Sequence, residues 1–364
     1  MIFYQFFVYK FRKKSLINRI LPVRIWLYSI AILVSIMIVV GGATRLTDSG
    51  LSITEWAPLS GIIPPLSLSD WLEEFEKYQT TTEFKTINNL ITLDEFKSIY
   101  WWEWTHRFLG RFIGCLVVIP MMIFWVSGHL NHWLKLRLIF LLFLGSLQGV
   151  IGWWMVESGL FGQVDVSHLR LAVHLTLACL VLSLTIWLAQ SVDVYSWNPV
   201  LSNLVLGFVL LFMIFVQIFL GGLVAGLDAG MSYNTWPLMN GNFFPQDLWS
   251  TNLRDDLTWI DNIAIVQFLH RLTSYFIFIL SLIHVLQLKC RNMKLIHVRR
   301  CWGIVFLILI QVLLGIVTLV SQVPIEAALL HQLGAIIIIA FLTVHLHALS
   351  SDNPSLLKQS NGSF

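Results

Sequence analysis

Eight apolar stretches, at roughly 25–44, 105–126, 138–156, 171–190, 202–226, 264–288, 302–321 and 328–349, leave this chain of 364 residues few choices of fold. About 20 apolar residues in helical form cross the hydrocarbon core of a bilayer, and each stretch meets or approaches that length. In lipid every backbone N–H and C=O must be bonded within the protein, so successive spans of this kind are helices. Composition agrees: 57% of the residues are apolar and 12% are charged, where soluble domains carry about 25% charged residues. In water such a chain would expose large apolar patches. The first stretch follows Arg24 and lacks a small-residue cleavage site, which predicts a retained helix rather than a removed leader. The predicted class is an all-α integral membrane protein with eight transmembrane helices.

Charge sets the orientation. With the N-terminus inside, the inner segments hold Lys10, Arg12, Lys13, Lys14, Arg19, Arg24, Lys135, Arg137, Lys289, Arg291, Lys294, Arg299, Arg300 and Lys358, which is 14 of the 23 basic residues. Of the 20 acids, only Asp193 and Asp352 fall on that side. The positive-inside rule then predicts both termini in the cytoplasm. Segments 1–24 and 350–364 are expected to be cytoplasmic ends and 191–201 an inner linker. The outer side carries a long loop over about 46–102, with Trp56 and Trp71, and a second at about 227–261 with the run Asp228-Ala229-Gly230-Met231-Ser232-Tyr233-Asn234-Thr235-Trp236-Pro237. Thr92 and Glu95 form a capping box that predicts a short helix running into the second span. Long loops in compact proteins usually have a task. A net charge of +3 gives no reason to expect nucleic acid as a partner. Cys115, Cys179, Cys290 and Cys301 show no CxxC or CxxCH spacing, which argues against a zinc knuckle and a covalently attached c-type heme.

The chain repeats itself. Span 1 ends Gly41-Gly42-Ala43-Thr44 and span 5 ends Gly221-Gly222-Leu223-Val224. Span 2 opens Glu103-Trp104-Thr105-His106-Arg107, and span 6 opens Gln267-Phe268-Leu269-His270-Arg271. Gln148 and Gly152 in span 3 match Gln311 and Gly315 in span 7; His174-Leu175 in span 4 matches His331-Gln332-Leu333 in span 8. Four spans map onto four with the same orientation, which predicts two four-helix bundles, 25–190 and 202–349, as a parallel repeat about the membrane normal. Glycine-rich seams let such helices approach closely.

Four of the eleven histidines, His106, His174, His270 and His331, occupy equivalent places in the repeat. Each is expected near the outer start of its span, at one common depth. Ionisable residues inside a membrane are costly and mark function. In each half the two histidines come from alternate helices of one bundle, and two facing imidazoles at one level suit axial ligation of a heme iron. Helix–helix hydrogen bonding is the plainer reading, and four repeat-matched positions weigh against it. Copper or zinc is another; two histidines per half with no nearby cysteine suit zinc poorly.

Glu103 lies three residues before His106 on the same helix face, and its repeat mate is Gln267. A carboxylate accepts or relays protons where an amide only hydrogen-bonds, so two pockets with different tasks are expected. A helix-start carboxylate near the water boundary is the bland alternative. Di-iron bundles also use Glu-x-x-His, but need two such motifs and two further glutamates. Arg107 and Arg271 are repeat mates as well; they suit heme propionates or snorkelling to the interface. His284 and His345 follow His270 and His331 by 14 residues, a rise of about 21 Å. They could hold a second heme beneath the first, whereas the N-terminal half has Pro120 and Leu188 at those offsets.

The most specific pieces are Gly41-Gly42-Ala43-Thr44-Arg45-Leu46-Thr47 with Ser49-Gly50-Leu51-Ser52, Glu103-x-x-His106-Arg107, Arg170-Leu171-Ala172-x-His174-Leu175, Asn234-Thr235-Trp236-Pro237-Leu238-Met239 and His331-Gln332. Over nearly its whole length the chain resembles the heme A synthase family in its proteobacterial and mitochondrial form. Members of that family oxidise the C8 methyl of heme O to a formyl group, making heme A for cytochrome c oxidase. The resemblance implies a heme-dependent membrane oxidoreductase, with His106, His174 and Arg107 around substrate heme O. It implies His270, His331 and Arg271 around a resident heme b, the four histidines as iron ligands, and Glu103 as the family's essential glutamate. The partners it implies are the lipid bilayer, heme O, heme O synthase, an electron-transfer partner and cytochrome oxidase assembly. A bacterial inner membrane is the expected location, because about two dozen residues before the first span are few for a transit peptide plus an anchor.

Two residues depart from the pattern: Asn240 stands where Asp is expected and His168 where an uncharged residue is expected. The loop 46–102 has no cysteine, so the loop disulfide of some bacterial relatives cannot form. Methyl to aldehyde is a four-electron oxidation, balanced by two successive hydroxylations with loss of water. It needs an oxidant that side chains lack and a heme supplies. The rival functions are a membrane di-heme b-type cytochrome that relays electrons without heme chemistry, and a non-redox transporter or heme scaffold.

Overall fold

The computed structural model describes residues 2–57, 60–160, 162–192, 201–245 and 259–351. Most of the expected inner linker and the tail from Asp352 lie outside the described residues. Ten α-helices follow in order: α1 (Ile2–Leu46), α2 (Leu68–Gln79), α3 (Thr82–Thr86), α4 (Leu93–Val126), α5 (His132–Leu160), α6 (His168–Ser191), α7 (Leu201–Gly226), α8 (Ile263–Cys290), α9 (Leu295–Val320) and α10 (Ile325–Ser351). Eight of them, α1 from Ile20 onward and α4 to α10, are long and apolar enough to cross a membrane. Among the described residues the one β-type pairing is an isolated bridge between Met239 and Asn242.

Two helices outrun their apolar cores. α1 begins at Ile2 rather than near 25 and continues through Pro22, since helix formation requires neither apolar residues nor every N–H. α4 begins at Leu93, where the Thr92 hydroxyl accepts from Glu95 N and the Glu95 carboxylate accepts from Thr92 N. That box satisfies two of the end's orphan donors, so the short outer helix and the second span are one rod.

Neighbours in the two halves correspond pair for pair. α1 packs on α4 and α6, and α5 on α4 and α6; likewise α7 packs on α8 and α10, and α9 on α8 and α10. Across the middle, α6 meets α7 and α10, and α1 meets α10. Glycine makes this seam possible: a Cβ on Gly222 would stand 2.7 Å from Ala172 Cα. Polar groups stitch the seam too. Gln332 Nε2 donates to Ile38 O at 2.9 Å, and the Ser183 and Thr343 hydroxyls meet at 2.8 Å. The central core comprises Leu27, Ile30, Leu182, Leu210, Ile339, Leu342 and their neighbours. Phe140, Phe143, Phe212, Phe276 and Phe306 face outward, each more than half exposed. Burying one such side chain is worth about 1.5–3 kcal/mol, and a lipid environment supplies that burial.

The long segment between α1 and α4 folds over the start of α4. Trp71, Tyr78, Phe96 and Tyr100 form a small separate core there, with α2 opened by a second capping box from Ser67 and Asp70. It packs against the turn of α4 that carries Glu103.

Candidate functional site

Two matched clamps tie the loops after α1 and α7 to the starts of α4 and α8. Glu103, 3% exposed, accepts from Arg107 Nε at 3.0 Å and Nη2 at 2.6 Å through Oε1. Its Oε2 accepts from Ser52 Oγ and from Ile53 N, both at 2.8 Å. Arg107 also donates to Ile53 O and Glu55 O, each at 2.8 Å. In the other half Arg271 donates to Tyr233 O at 2.6 Å, Thr235 O at 2.9 Å and Gln267 Oε1 at 3.1 Å. Ile53 and Glu55 correspond to Tyr233 and Thr235 at an offset of 180, as Gly41 does to Gly221. The backbone follows: Asp48 and Asp228 both turn left-handed at φ 47°.

The clamp was not anticipated from side chains alone, because its acceptors are backbone carbonyls. A signal was nonetheless available, in the pattern Asp-x-Gly-x-Ser-x-x-x-Trp at 48–56 and again at 228–236. The expectation that Arg107 and Arg271 meet propionates encounters side chains already engaged with loop carbonyls. The two differ in charge balance. Arg107 is neutralised by Glu103, whereas Arg271 faces a neutral amide and keeps a buried Nε with no hydrogen-bond partner.

One turn below each clamp stands a histidine. His106 is thirteen residues into α4, because that helix starts early, while His174, His270 and His331 are six or seven residues into α6, α8 and α10. Each ring lies against a glycine of a neighbouring helix. A Cβ would be 3.0 Å from His106 Nε2 at Gly41, 3.0 Å from His174 Cε1 at Gly152, 3.2 Å from His270 Cε1 at Gly221, and 2.8 Å from His331 Cε1 at Gly315. Glutamines then fix the histidine turns: Gln148, Gln217 and Gln311 donate through Nε2 to the carbonyls of His174, His270 and His331 at 2.9, 3.0 and 2.7 Å. Met37 takes the place of Gln217 in the N-terminal half, by the same offset of 180.

The pairs are not identical. His270 and His331 face each other with ring centroids 6.5 Å apart and planes at 71°. Among the described residues the rings of His106 and His174 do not pack on one another. The C-terminal spacing fits a heme iron between two imidazoles: a metal–nitrogen bond of about 2 Å on each side, plus the distance from nitrogen to ring centre, gives about 6 Å. His331 Nδ1 and the Oε1 atoms of Gln148, Gln217 and Gln311 are buried without a hydrogen-bond partner, as expected of groups that border a ligand.

Comparison with known proteins bears on this arrangement. Residues 24–343 match the family model described as cytochrome oxidase assembly protein, COX15-CtaA. The chain belongs to this family. Its relatives include proteins named heme A synthase from Chelativorans sp. strain BNC1, 46% identical over 330 residues (90% of each chain), and from Brucella anthropi, 46% identical over 333 residues (90% of this chain and 91% of the relative). A third, from Brucella ovis, is 45% identical with the same coverage.

The two departures noted in the sequence have local reasons in this family member. Asn240 at φ 49° and Gly241 at φ 86° form the two-residue turn inside the Met239–Asn242 bridge, and Asn-Gly suits a turn with both φ values positive. His168 opens α6 with Nε2 3.1 Å from Asp261 Oδ1, which ties the N-terminal half to the second outer loop. All four cysteines are free thiols.

Proposed function

We propose that the protein is a heme A synthase of a bacterial inner membrane, converting the C8 methyl of heme O to the formyl of heme A, with both termini cytoplasmic. The reading treats 25–190 and 202–349 as two four-helix bundles, each with one histidine pair beneath one outer-loop clamp. The observation that carries it is four repeat-matched imidazoles, each in a glycine notch, with the rings of His270 and His331 set against each other. The relatives named heme A synthase support it.

The closer pair, His270 and His331, holds a resident heme b, and Arg271, with its uncompensated charge, lies where a propionate would balance it. The pair His106 and His174, without ring packing, receives heme O, which must enter and leave. When bound, heme supplies the oxidising chemistry that no side chain offers.

The remaining work belongs to Glu103. Arg107 holds Oε1 from two nitrogens, so Oε2, bonded to the neutral Ser52 hydroxyl and Ile53 N–H, is the oxygen on which a proton settles. Oε2 takes the proton from the substrate-borne oxygen, and the Ser52 hydroxyl hands it toward the outer loop. Gln267, which donates to Ala229 O at 2.7 Å, cannot take up a proton, so the two pockets divide the tasks. Two successive hydroxylations followed by loss of water account for the four electrons removed. With water as the source of oxygen, one methyl and one water give one formyl group, four protons and four electrons, and the electrons leave to an electron acceptor in the membrane.

Glu103→Gln keeps the shape and loses the base. Turnover of heme O is expected to fall by about 10²-fold or more, the range for removing a general base, with the heme content of the purified protein unchanged. Wild-type turnover in that variant would remove Glu103 from the mechanism.

A further inference from the structure

A second cluster of ligating side chains lies at the opposite end of the C-terminal half. His284 on α8, Cys301 on α9 and His345 on α10 are each 0% exposed, and their ligating atoms lie within 4.8 Å of one another. We propose that these three residues bind one cuprous ion.

The geometry separates this from the neighbouring alternatives. The Nε2 atoms of His284 and His345 are 3.4 Å apart, with ring centroids 5.5 Å apart at 81°. Two imidazoles on opposite sides of a heme iron need about 4 Å between nitrogens, twice a bond of about 2 Å. The pair is therefore too close for a second heme. Two nitrogens at about 2 Å from a trigonal or tetrahedral ion stand about 3.3–3.5 Å apart, which is the observed spacing. A hydrogen bond between the rings would be long against the usual 2.9–3.0 Å.

The tautomer agrees. His284 Nδ1 lies 3.2 Å from Gln287 Oε1, an acceptor, so Nδ1 carries the hydrogen and Nε2 presents its lone pair to the cluster. Such an outer partner is how ligating histidines are oriented. A glycine again stands beside the ring: a Cβ at Gly207 on α7 would be 3.2 Å from His284 Nε2.

Charge selects the ion. Binding releases the thiol proton of Cys301, so the protein contributes one thiolate and two neutral imidazoles. A monovalent ion makes the assembly neutral, while zinc would leave one positive charge in an apolar interior, at a cost. Thiolate with imidazole also suits soft cuprous copper. The N-terminal half supplies no counterpart, having Pro120, Leu138 and Leu188 at the corresponding positions. The cluster is thus no requirement of the repeated fold.

The test uses the full chain with its hemes, purified in detergent without chelators from cells grown with added copper. Copper and zinc per chain are counted by elemental mass spectrometry, for the wild type, Cys301→Ser and His345→Leu, with the heme spectrum as the check on folding. About one copper per chain is expected in the wild type, falling about fivefold or more in both variants, with the heme spectrum unchanged. Equal copper in wild type and variants, zinc in place of copper, or loss of a heme from His345→Leu with His270 and His331 intact would each overturn the assignment.

Discussion

Glu103 and Arg107 hold structure together at the residue to which we assign the chemistry. Glu103 is buried and Arg107 partly so, and their atoms also hold the loop segment around Ile53. Removing one member of a buried ion pair costs about 3–5 kcal/mol, because the other charge is left behind. Arg107→Ala is therefore expected to lower thermal stability markedly, since it also strips the bonds to Ile53 O and Glu55 O; a wild-type melting temperature in detergent would refute the clamp. The glycines make an equally local prediction. Gly315→Ala pushes a Cβ to 2.8 Å from His331 Cε1, so resident heme per chain is expected to drop. Gly152→Ala, at 3.0 Å from His174, is expected to spare the resident heme and weaken heme O binding. A heme count by absorbance distinguishes the two, and identical losses in both variants would contradict the division of pockets. The four histidines were legible in the sequence because each is a rare polar residue in an apolar run. The clamp acceptors were not, because a carbonyl carries no residue identity.

Among the elements, the outer loop carries its own titration. Glu83, on α3, is 5% exposed, and burial holds its carboxyl up at about 8 against an ordinary 4.5, with Asp48, Asp165 and Glu103 adding to the rise. A folded-state pKa above the unfolded value means that the folded loop keeps a proton the unfolded loop releases. The stability this gives is complete below about 4.5 and is lost as pH rises through about 8. Proteolysis within 60–92 is thus expected to quicken between pH 6 and 9 in the wild type and to stay flat in Glu83→Gln; parallel curves would contradict it. The helix boundaries teach a related lesson. Apolar run length located all eight spans, but missed the extension of α1 to Ile2, of α4 to Leu93, of α5 to His132 and of α9 to Leu295. Outside lipid, a helix is set by its caps, so the Thr92–Glu95 box was the better guide to where α4 starts.

At the scale of the whole molecule, motif spacing suggests a repeat, and α1, α4, α5, α6 and α7 to α10 pack in neighbour pairs of the same order. The way the halves join was not readable. It depends on Gly222 meeting Ala172 and on Gln332 reaching Ile38, contacts between distant segments that no local pattern marks. The proposed division of tasks rests on the asymmetry between the halves: a carboxylate against an amide in the two clamps, and ring packing in one histidine pair only. Extracting the hemes from the purified protein and identifying them by mass tests this most directly. The expected result is one heme b per chain, lost in His270→Ala, together with heme O or heme A that is lost in His106→Ala. Heme b alone in both pockets, or no heme at all, would contradict it.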